Sequence, residues 1–560
     1  LHYGNEPWGQ QALTDDTDFE TAFMNQHDSS DRVHETSPEG IPDDVETIEQ
    51  PAVSDIGGFK ERLSSLRSVA VVSLFSVVQL GLQFVLQIVL AKLFGTSAEM
   101  EAYLACMTFP VVISGMIIGP LGYVLVPSFT TRMEQDGPDV AWSLAGQMAT
   151  WMTFITIAVT LAGWLLTRPL ILFLDHGYEG EQLQLAFSLH AILIWLIPLN
   201  CWTGFLNAVH HCRGSFFLPA FSGVVGTAVT VAVVLWRQDS EGVYVVAESV
   251  VLGAIVGVLL QSAVIRQLRP GFRLGTAART CLRLMVPLLV GAIYFRLDPL
   301  IDRYLVSPLA VGSYAYLGYA WRIVTALQVV SMGGLSIVAF PAISKHSALG
   351  NIDHLQQEVA YAIRFLATIT VPIVAGVVFF GQFAIRELFQ RGEFTAADTQ
   401  IVAEVLAIYS GALVAAGLGD LLTKVFFALH NTKTPTVLGI VGFTVGLAAK
   451  IILSRTSGVP GIAAATSGYM LLNSLMMILI LSRWYNLRLT TGLPTTLRNS
   501  AIATTAALAA AYIVSMSAIP YPLLPSVLAA VASYGLALLV MRDEFGMRAM
   551  SAARRMQSGG

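Results

Sequence analysis

From Val69 to about residue 541 the chain alternates between long apolar runs and short polar breaks. Each run holds roughly 20 residues, the length a helix needs to cross a hydrocarbon core about 30 Å thick. The pattern predicts about fourteen such helices, over 69–93, 101–128, 141–166, 185–208, 215–236, 243–265, 281–305, 312–341, 359–380, 398–428, 434–454, 460–482, 498–518 and 522–541. The expected fold class is an all-α polytopic membrane protein.

Composition agrees. Of 560 residues, 55% are hydrophobic and 12% charged, and the mean hydropathy is +0.66, outside the range of soluble domains. Residues 1–57 differ in kind: they carry Asp15, Asp16, Asp18, Asp43, Asp44 and Glu46 against one base, Arg32, without hydrophobic periodicity. That segment is expected to be a disordered acidic cytoplasmic tail, and it supplies much of the net charge of −5. It has no basic start followed by an apolar core, so it is not a secretory signal, and the opening Leu1 is read as a processed or incomplete start.

Bases crowd alternate loops. Lys60, Arg62 and Arg67 precede the first span, Arg266, Arg269, Arg273, Arg279 and Arg283 follow the sixth, and Arg542, Arg548, Arg554 and Arg555 follow the last. The opposite loops hold few, among them Lys92, Arg168, Arg237, Arg386, Arg391 and Arg455. The positive-inside rule then puts both termini in the cytoplasm.

Two stretches resemble each other internally. "EAYLACMTFPVVISG", from Glu101, and "YAYLGYAWRIVTALQ", from Tyr314, share Ala-Tyr-Leu near the start and lead into Val-rich runs that end in proline. The offset of about 213 residues corresponds to six spans, an even number that preserves direction across the membrane. The expected organisation is a tail over 1–57, a six-helix lobe over 58–270, a second six-helix lobe over 271–490 related to the first by a parallel repeat, and two further helices with a basic tail over 491–560.

Several polar residues stand out. Cys106, Cys201, Cys212 and Cys281 lack metal-ligand spacing, and His210 and His211 beside Cys212 are explained by an interfacial loop. Charges inside spans are costly and usually functional. Arg296, Asp298, Asp302 and Arg303 lie on the seventh span, where Arg296 and Asp298 either compensate each other or leave Asp298 for a coupling cation. Asp420 and Lys424 have ion-pair spacing, while Lys450 either faces a groove or snorkels to the interface. Gln79, Gln83 and Gln87 recur every four residues on one face of the first helix, either as a sugar-facing stripe or as interhelical amide bonding. Gly115 with Gly119, and Gly442 with Gly446, are read as close helix packing.

Between the ninth and tenth spans stands "LFQRGEFTAADT", Leu388 to Thr399. Thr395 followed by Asp398 ahead of an apolar run is a capping box, which predicts a turn at Gly392 and a helix start behind it. The stretch also resembles the L-F-x-R-G-x-F-x-x-x-D-T signature of the MurJ/MviN family of lipid II flippases, within the multidrug/oligosaccharidyl-lipid/polysaccharide exporter superfamily. "FFALHNTKTPT", from Phe426, is similar to that family's F-Y-A-x-x-D-T-K-T-P, with Asn431 in place of the acid and Lys433 and Pro435 in register. "IDRYLVSPLAVGSYAYLGYAWRI", from Ile301, and "FPAISK", from Phe340, resemble two further family motifs. The similarity covers roughly residues 60–540.

The resemblance implies a flippase, not an enzyme, that moves an undecaprenyl-pyrophosphate-linked peptidoglycan precursor across the bacterial cytoplasmic membrane. It implies alternating access driven by an ion gradient or the membrane potential, with no organic cofactor and with Na+ or H+ as coupling cation. The implied partners are the polyprenyl-linked glycan, membrane lipids and cell-wall synthesis proteins, and no nucleic acid. No Walker motif is present, consistent with a secondary transporter.

By the resemblance, Arg322 is the motif arginine of the eighth helix and Glu101 replaces a family Asp, so both are expected at the substrate with Gln79, Gln83 and Gln87. Asp298 and Asp302 are the ion-coupling candidates, and Arg391, Gly392, Phe394, Asp398, Lys433 and Pro435 carry family motifs. The chain departs from the family where cavity arginines are usual: Leu80, Leu86 and Ser114 occupy those positions. That departure leaves two alternatives open, a flippase for another polyprenyl-linked oligosaccharide and a non-transporting membrane scaffold.

Overall fold

The computed structural model describes residues 55–237, 242–349, 351–517, 522–548 and 550–551. The acidic tail expected over 1–57 lies almost wholly outside them. Among the described residues, eleven helices are long and apolar enough to cross a membrane. One of these, Lys433–Trp484, contains a non-helical residue, Gly458 (φ 57°, ψ −133°), and holds two of the expected spans. The expected spans at 281–305 and 312–341 fall on further helices described below, so every apolar run of the sequence is helical.

In the first half, α1 (Asp55–Phe94) and α2 (Ala98–Gln135) are joined by a tight turn, and Ser97 caps α2 by accepting the Met100 amide at 3.4 Å. Three prolines, Pro110, Pro120 and Pro127, lie inside α2. They are tolerated because neighbouring helices and hydroxyls re-satisfy the freed backbone. Then come α3 (Pro138–Leu165), α4 (Thr167–Leu174), α5 (Gly180–Leu193), α6 (Leu196–Cys212), α7 (Phe217–Trp236) and α8 (Tyr244–Gln261). α5 and α6 form one expected span, broken at Ile194 and Trp195 just ahead of Pro198.

The seventh span is also broken. α9 (Thr276–Arg296) stops at Leu297, and α10 (Asp298–Val306) begins with Asp298 and Pro299, residues suited to a first helical turn. α9 packs mainly on α2 and α3 of the first half, whereas α10 packs on both α2 and α4 of the first half and on the helices that follow. Those are α11 (Ser313–Ala348), α12 (Ile352–Phe389), α13 (Ala396–Ala428), α14 (Lys433–Trp484), α15 (Leu493–Ser515) and α16 (Leu523–Val540). α14 doubles back at Gly458: a Cβ on Gly461 would strike the Leu453 carbonyl, and Gly446 on the first arm abuts the Tyr469 ring on the second.

The buried side chains form three cores. One draws on both halves at the end marked by the α1–α2 turn, joining Leu90, Met100 and Leu189 to Tyr319, Phe389, Phe394 and Val402. A second is built from α2, α3, α6 and α9 around Leu125, Phe129, Met148, Phe205 and Met285. The third, around Leu355, Leu366, Leu422, Phe426 and Leu481, belongs to α12, α13 and α14. The halves therefore share a core at one end, while at the other the first half's core takes in α9 and the third core belongs to the second half alone.

At the shared end a buried ion pair joins them. Arg303 of α10 donates from Nε to Asp175 Oδ1 at 2.7 Å and from Nη2 to Oδ2, and both side chains are at most 1% exposed. This two-point geometry is the strong form of an Arg–carboxylate contact. The Gly177 amide donates to Ser307 Oγ beside it at 2.8 Å. Asp175→Ala should destabilise the protein by about 3–5 kcal/mol, because it strands a buried guanidinium, seen as a lowered unfolding midpoint in detergent. Adding Arg303→Leu should recover most of the loss; a single variant that melts with the parent would disprove the role.

Candidate functional site

The conspicuous polar segment between α12 and α13 is a latch against the α1–α2 turn. Thr395 and Asp398 form the expected capping box, with the Thr395 amide and hydroxyl each donating to Asp398 Oδ2 at 2.7 Å. The other oxygen of Asp398 reaches across the halves: it accepts from Thr96 Oγ1 at 2.6 Å and from the Tyr316 hydroxyl of α11 at 3.1 Å. The Glu393 amide donates to the Lys92 carbonyl at 3.0 Å, and the Tyr319 hydroxyl donates to the Gly95 carbonyl at 2.8 Å. Gly95 and Gly392 both have left-handed φ (54° and 60°), and a Cβ on either would collide with the backbone of the opposite strand. Phe394 is buried between Phe389 and Tyr319. Arg391 is exposed and its guanidinium donates to the Glu387 carbonyl, while Lys433 is exposed and Pro435 buried in the first turn of α14.

Glu101 completes the latch. It is 2% exposed and accepts the Gly312 amide at 2.6 Å and the Tyr314 amide at 3.0 Å. A carboxylate of the first half thus caps α11 of the second, favoured also by the helix dipole. Glu101, expected at the substrate, here has both carboxylate oxygens on backbone amides.

Below the latch lies a cavity of about 350 Å³ between the halves. α2 lines one wall with Leu104, Met107, Thr108, Val111 and Val112; α10, α11, α13 and α14 line the other with Asp298, Asp302, Trp321, Tyr409 and Thr466. The two internally similar stretches meet here, with Gly318 against Leu104 and the Tyr314 and Thr108 hydroxyls 2.7 Å apart.

The charges sort unexpectedly. Lys450 is buried in α14, and its Nζ lies 2.6 Å from Asp298 Oδ1 and 2.6 Å from Asp302 Oδ1. Lys450 therefore neither snorkels nor stands alone, and Asp298 pairs with it rather than with Arg296. Arg296 is exposed and makes no ion pair or side-chain hydrogen bond among the described residues. Its guanidinium rests in the notch of Gly115 and Gly119, where a Cβ on Gly115 would meet Nη1. That glycine pair thus makes room for a cation, one residue beyond Ser114 and one turn from cavity-lining Val111 and Val112. Arg322, also exposed and unpaired among the described residues, is four positions from Gly318 on the same face of α11.

The glutamine face does not reach this cavity. The Gln79 amide packs against Gly223 of α7, Gln83 is half-buried and Gln87 is buried. Sequence reasoning missed Arg296 because its neighbour Asp298 is the obvious partner, and the competing Lys450 lies 152 residues away. The glycine pair facing it was the available signal.

A sequence profile for the family described as "Lipid II flippase MurJ" matches residues 90–544. Among relatives, a probable lipid II flippase MurJ of Vibrio cholerae is 25% identical over 437 residues, 74% of this chain and 82% of that protein. Another from Bdellovibrio bacteriovorus is 24% identical over 381 residues, 65% and 72% of the respective chains. Among solved structures, a lipid II flippase MurJ in an inward closed conformation superposes with TM-score 0.69 at 19% identity, covering 84% of this chain and 99% of that one. An inward-facing MATE family transporter of the MOP superfamily matches with TM-score 0.61 at 16% identity, covering 75% and 95%.

Removing the cap should loosen the latch. In Glu101→Ala, the distance between spin labels at exposed Glu179 and Arg391 should broaden toward longer values in pulsed electron resonance. An unchanged distribution would show that Asp398 and the backbone contacts hold that end alone.

Proposed function

The chain belongs to the lipid II flippase MurJ family, matched over residues 90–544, and on that premise we propose that it carries lipid II between the leaflets of the bacterial cytoplasmic membrane by alternating access. The carrying observation is the cavity between the halves, with a hydrogen-bonded latch at one end and two arginines close by, Arg296 against Gly115 and Arg322 one turn from cavity-lining Gly318, neither ion-paired among the described residues. A sugar-pyrophosphate head group does not cross hydrocarbon unaided, because its polar and charged groups need partners throughout. The activity is movement, with no bond made or broken.

The base-poor loops carry the latch, so the positive-inside rule places it on the outer face and both termini in the cytoplasm. The described state is then closed outward. Arg322 and Arg296 meet the pyrophosphate, Arg296 supplying from α9 the charge that Ser114 of α2 does not. Guanidinium forks suit phosphate oxygens. The polyprenyl tail has its own place: an apolar cavity of about 610 Å³ between α12, α15 and α16, lined by Pro372, Ile373, Phe380, Ala507, Val527 and Val531. Lipids and cell-wall synthesis proteins are the expected neighbours.

A second reading has one observation in its favour. Among the described residues, none of the first helix lines the central cavity. This suits an acceptor with fewer phosphate contacts, such as another polyprenyl-linked oligosaccharide.

Residues 58–560, expressed in bacteria depleted of their own lipid II flippase, should restore growth and the exposure of lipid II on the outer leaflet. Failure by a correctly inserted chain, with a different glycolipid co-purifying, would move the assignment to the second reading. Arg322→Ala and Arg296→Ala should each lower exposure by roughly tenfold to a hundredfold, the scale of one lost charge-assisted hydrogen bond at about 1.5–3 kcal/mol. Ser114→Arg should restore part of the loss in the Arg296→Ala background; an Arg296→Ala protein with parental activity would remove that residue from the site.

A further inference from the structure

We infer that Lys450 is a built-in counter-ion: it fills the place between Asp298 and Asp302 that a coupling cation would take, so the protein binds no sodium there. Its bearing on transport rests on the flippase reading above; the site itself does not.

Asp298 and Asp302 are one turn apart on α10 and share a face. Two carboxylates at membrane depth call for a cation, and an inorganic one is the simplest candidate. The geometry does not fit it. The Lys450 Nζ stands 2.6 Å from one oxygen of each carboxylate, the point from which a single cation touches both. The ammonium comes from the protein side, 1% exposed, while Asp298 and Asp302 keep 19% and 15% exposure toward the cavity. Two of its three N–H groups are taken by the carboxylates. The Tyr469 hydroxyl lies 3.5 Å from Asp298 Oδ2. Among the described residues no cluster of three or more His, Cys, Asp or Glu offers a metal an alternative.

Sodium would have to enter beside a like charge, and like charges at contact distance repel strongly where water is scarce. Nor can sodium outcompete the ammonium by concentration. The ammonium is covalently attached, so its effective concentration at the carboxylates is fixed by the chain and not by the medium.

The pairing also decides what moves. It pins α10 to α14 on one side while Arg303 ties α10 to Asp175 on the other, and α9, packed mainly on α2 and α3, meets α10 at the break at Leu297. In an ion-coupled design that α10–α14 contact would form and release with the cation. Here it is permanent, and the break at Leu297 remains free to bend whatever the ion outside.

The test uses the purified full chain, melted in sodium chloride and in choline chloride of equal ionic strength. The wild type should show the same midpoint in both. Lys450→Ala should melt lower in choline and recover part of the loss in sodium, because two adjacent carboxylates then lack a counter-ion. Adding Asp298→Asn to Lys450→Ala should abolish that recovery. A wild-type midpoint raised by sodium, and no longer raised in Asp302→Asn, would overturn the inference; so would a folded Lys450→Ala protein indifferent to sodium. Should Lys450→Ala not fold, the wild-type comparison decides alone. The readout needs no substrate, so a chain that fails to expose lipid II leaves this result standing. In cells the wild type should expose lipid II equally in sodium-containing and sodium-free medium.

Discussion

A charge carried to membrane depth must be met by an opposite charge or by hydrogen bonds, and α10 brings Asp298, Asp302 and Arg303 there within nine residues. They are answered from two directions. Arg303 is held by Asp175 of the first half, and the two aspartates by Lys450 of the second. This short helix thereby belongs to both halves, and the rest of the arrangement follows from that. The chain must break at Leu297 to let α10 serve them, and the break leaves Arg296 at the end of α9 with its natural neighbour already taken.

The segment Leu388–Thr399 acquires its meaning from the same logic. Its charged and hydroxyl groups form a helix start whose surplus acceptor capacity is spent on the other half: Asp398 caps its own helix with one oxygen and holds Thr96 and Tyr316 with the other. Glu101 does the reciprocal job at α11. Each half thus completes a helix terminus of its partner or shares its own cap, so closure of this end satisfies groups that opening would return to water.

Local patterns were legible in the sequence. Apolar runs gave the helices because length and hydropathy in lipid leave little else. The capping box was visible because its parts are three residues apart, and the Asp420–Lys424 pair (2.7 Å) because its members share a helix face. What sequence could not show was choice among distant partners. Asp298 has an arginine two residues away and a lysine 152 residues away, and only the packing of α14 decides between them. The glutamines illustrate the converse: a regular stripe identifies a face but not its neighbour, and the neighbour of Gln79 is Gly223. Glu101 was singled out correctly, but its role was hidden because the groups it serves are backbone amides 211 and 213 residues away.

The core shared by both halves joins Leu90 to Ala463. During synthesis the chain emerges in order, so the first half stands in the membrane with one end of its interior uncovered until the second arm of α14 has been made. The core of α2, α3 and α6, completed by the incoming α9, closes much earlier. Assembly is therefore staged by the order in which covering surfaces become available. The interval between the two stages is when the apolar flank of α1 and α2 is open to any chaperone or insertase that handles unfinished membrane proteins.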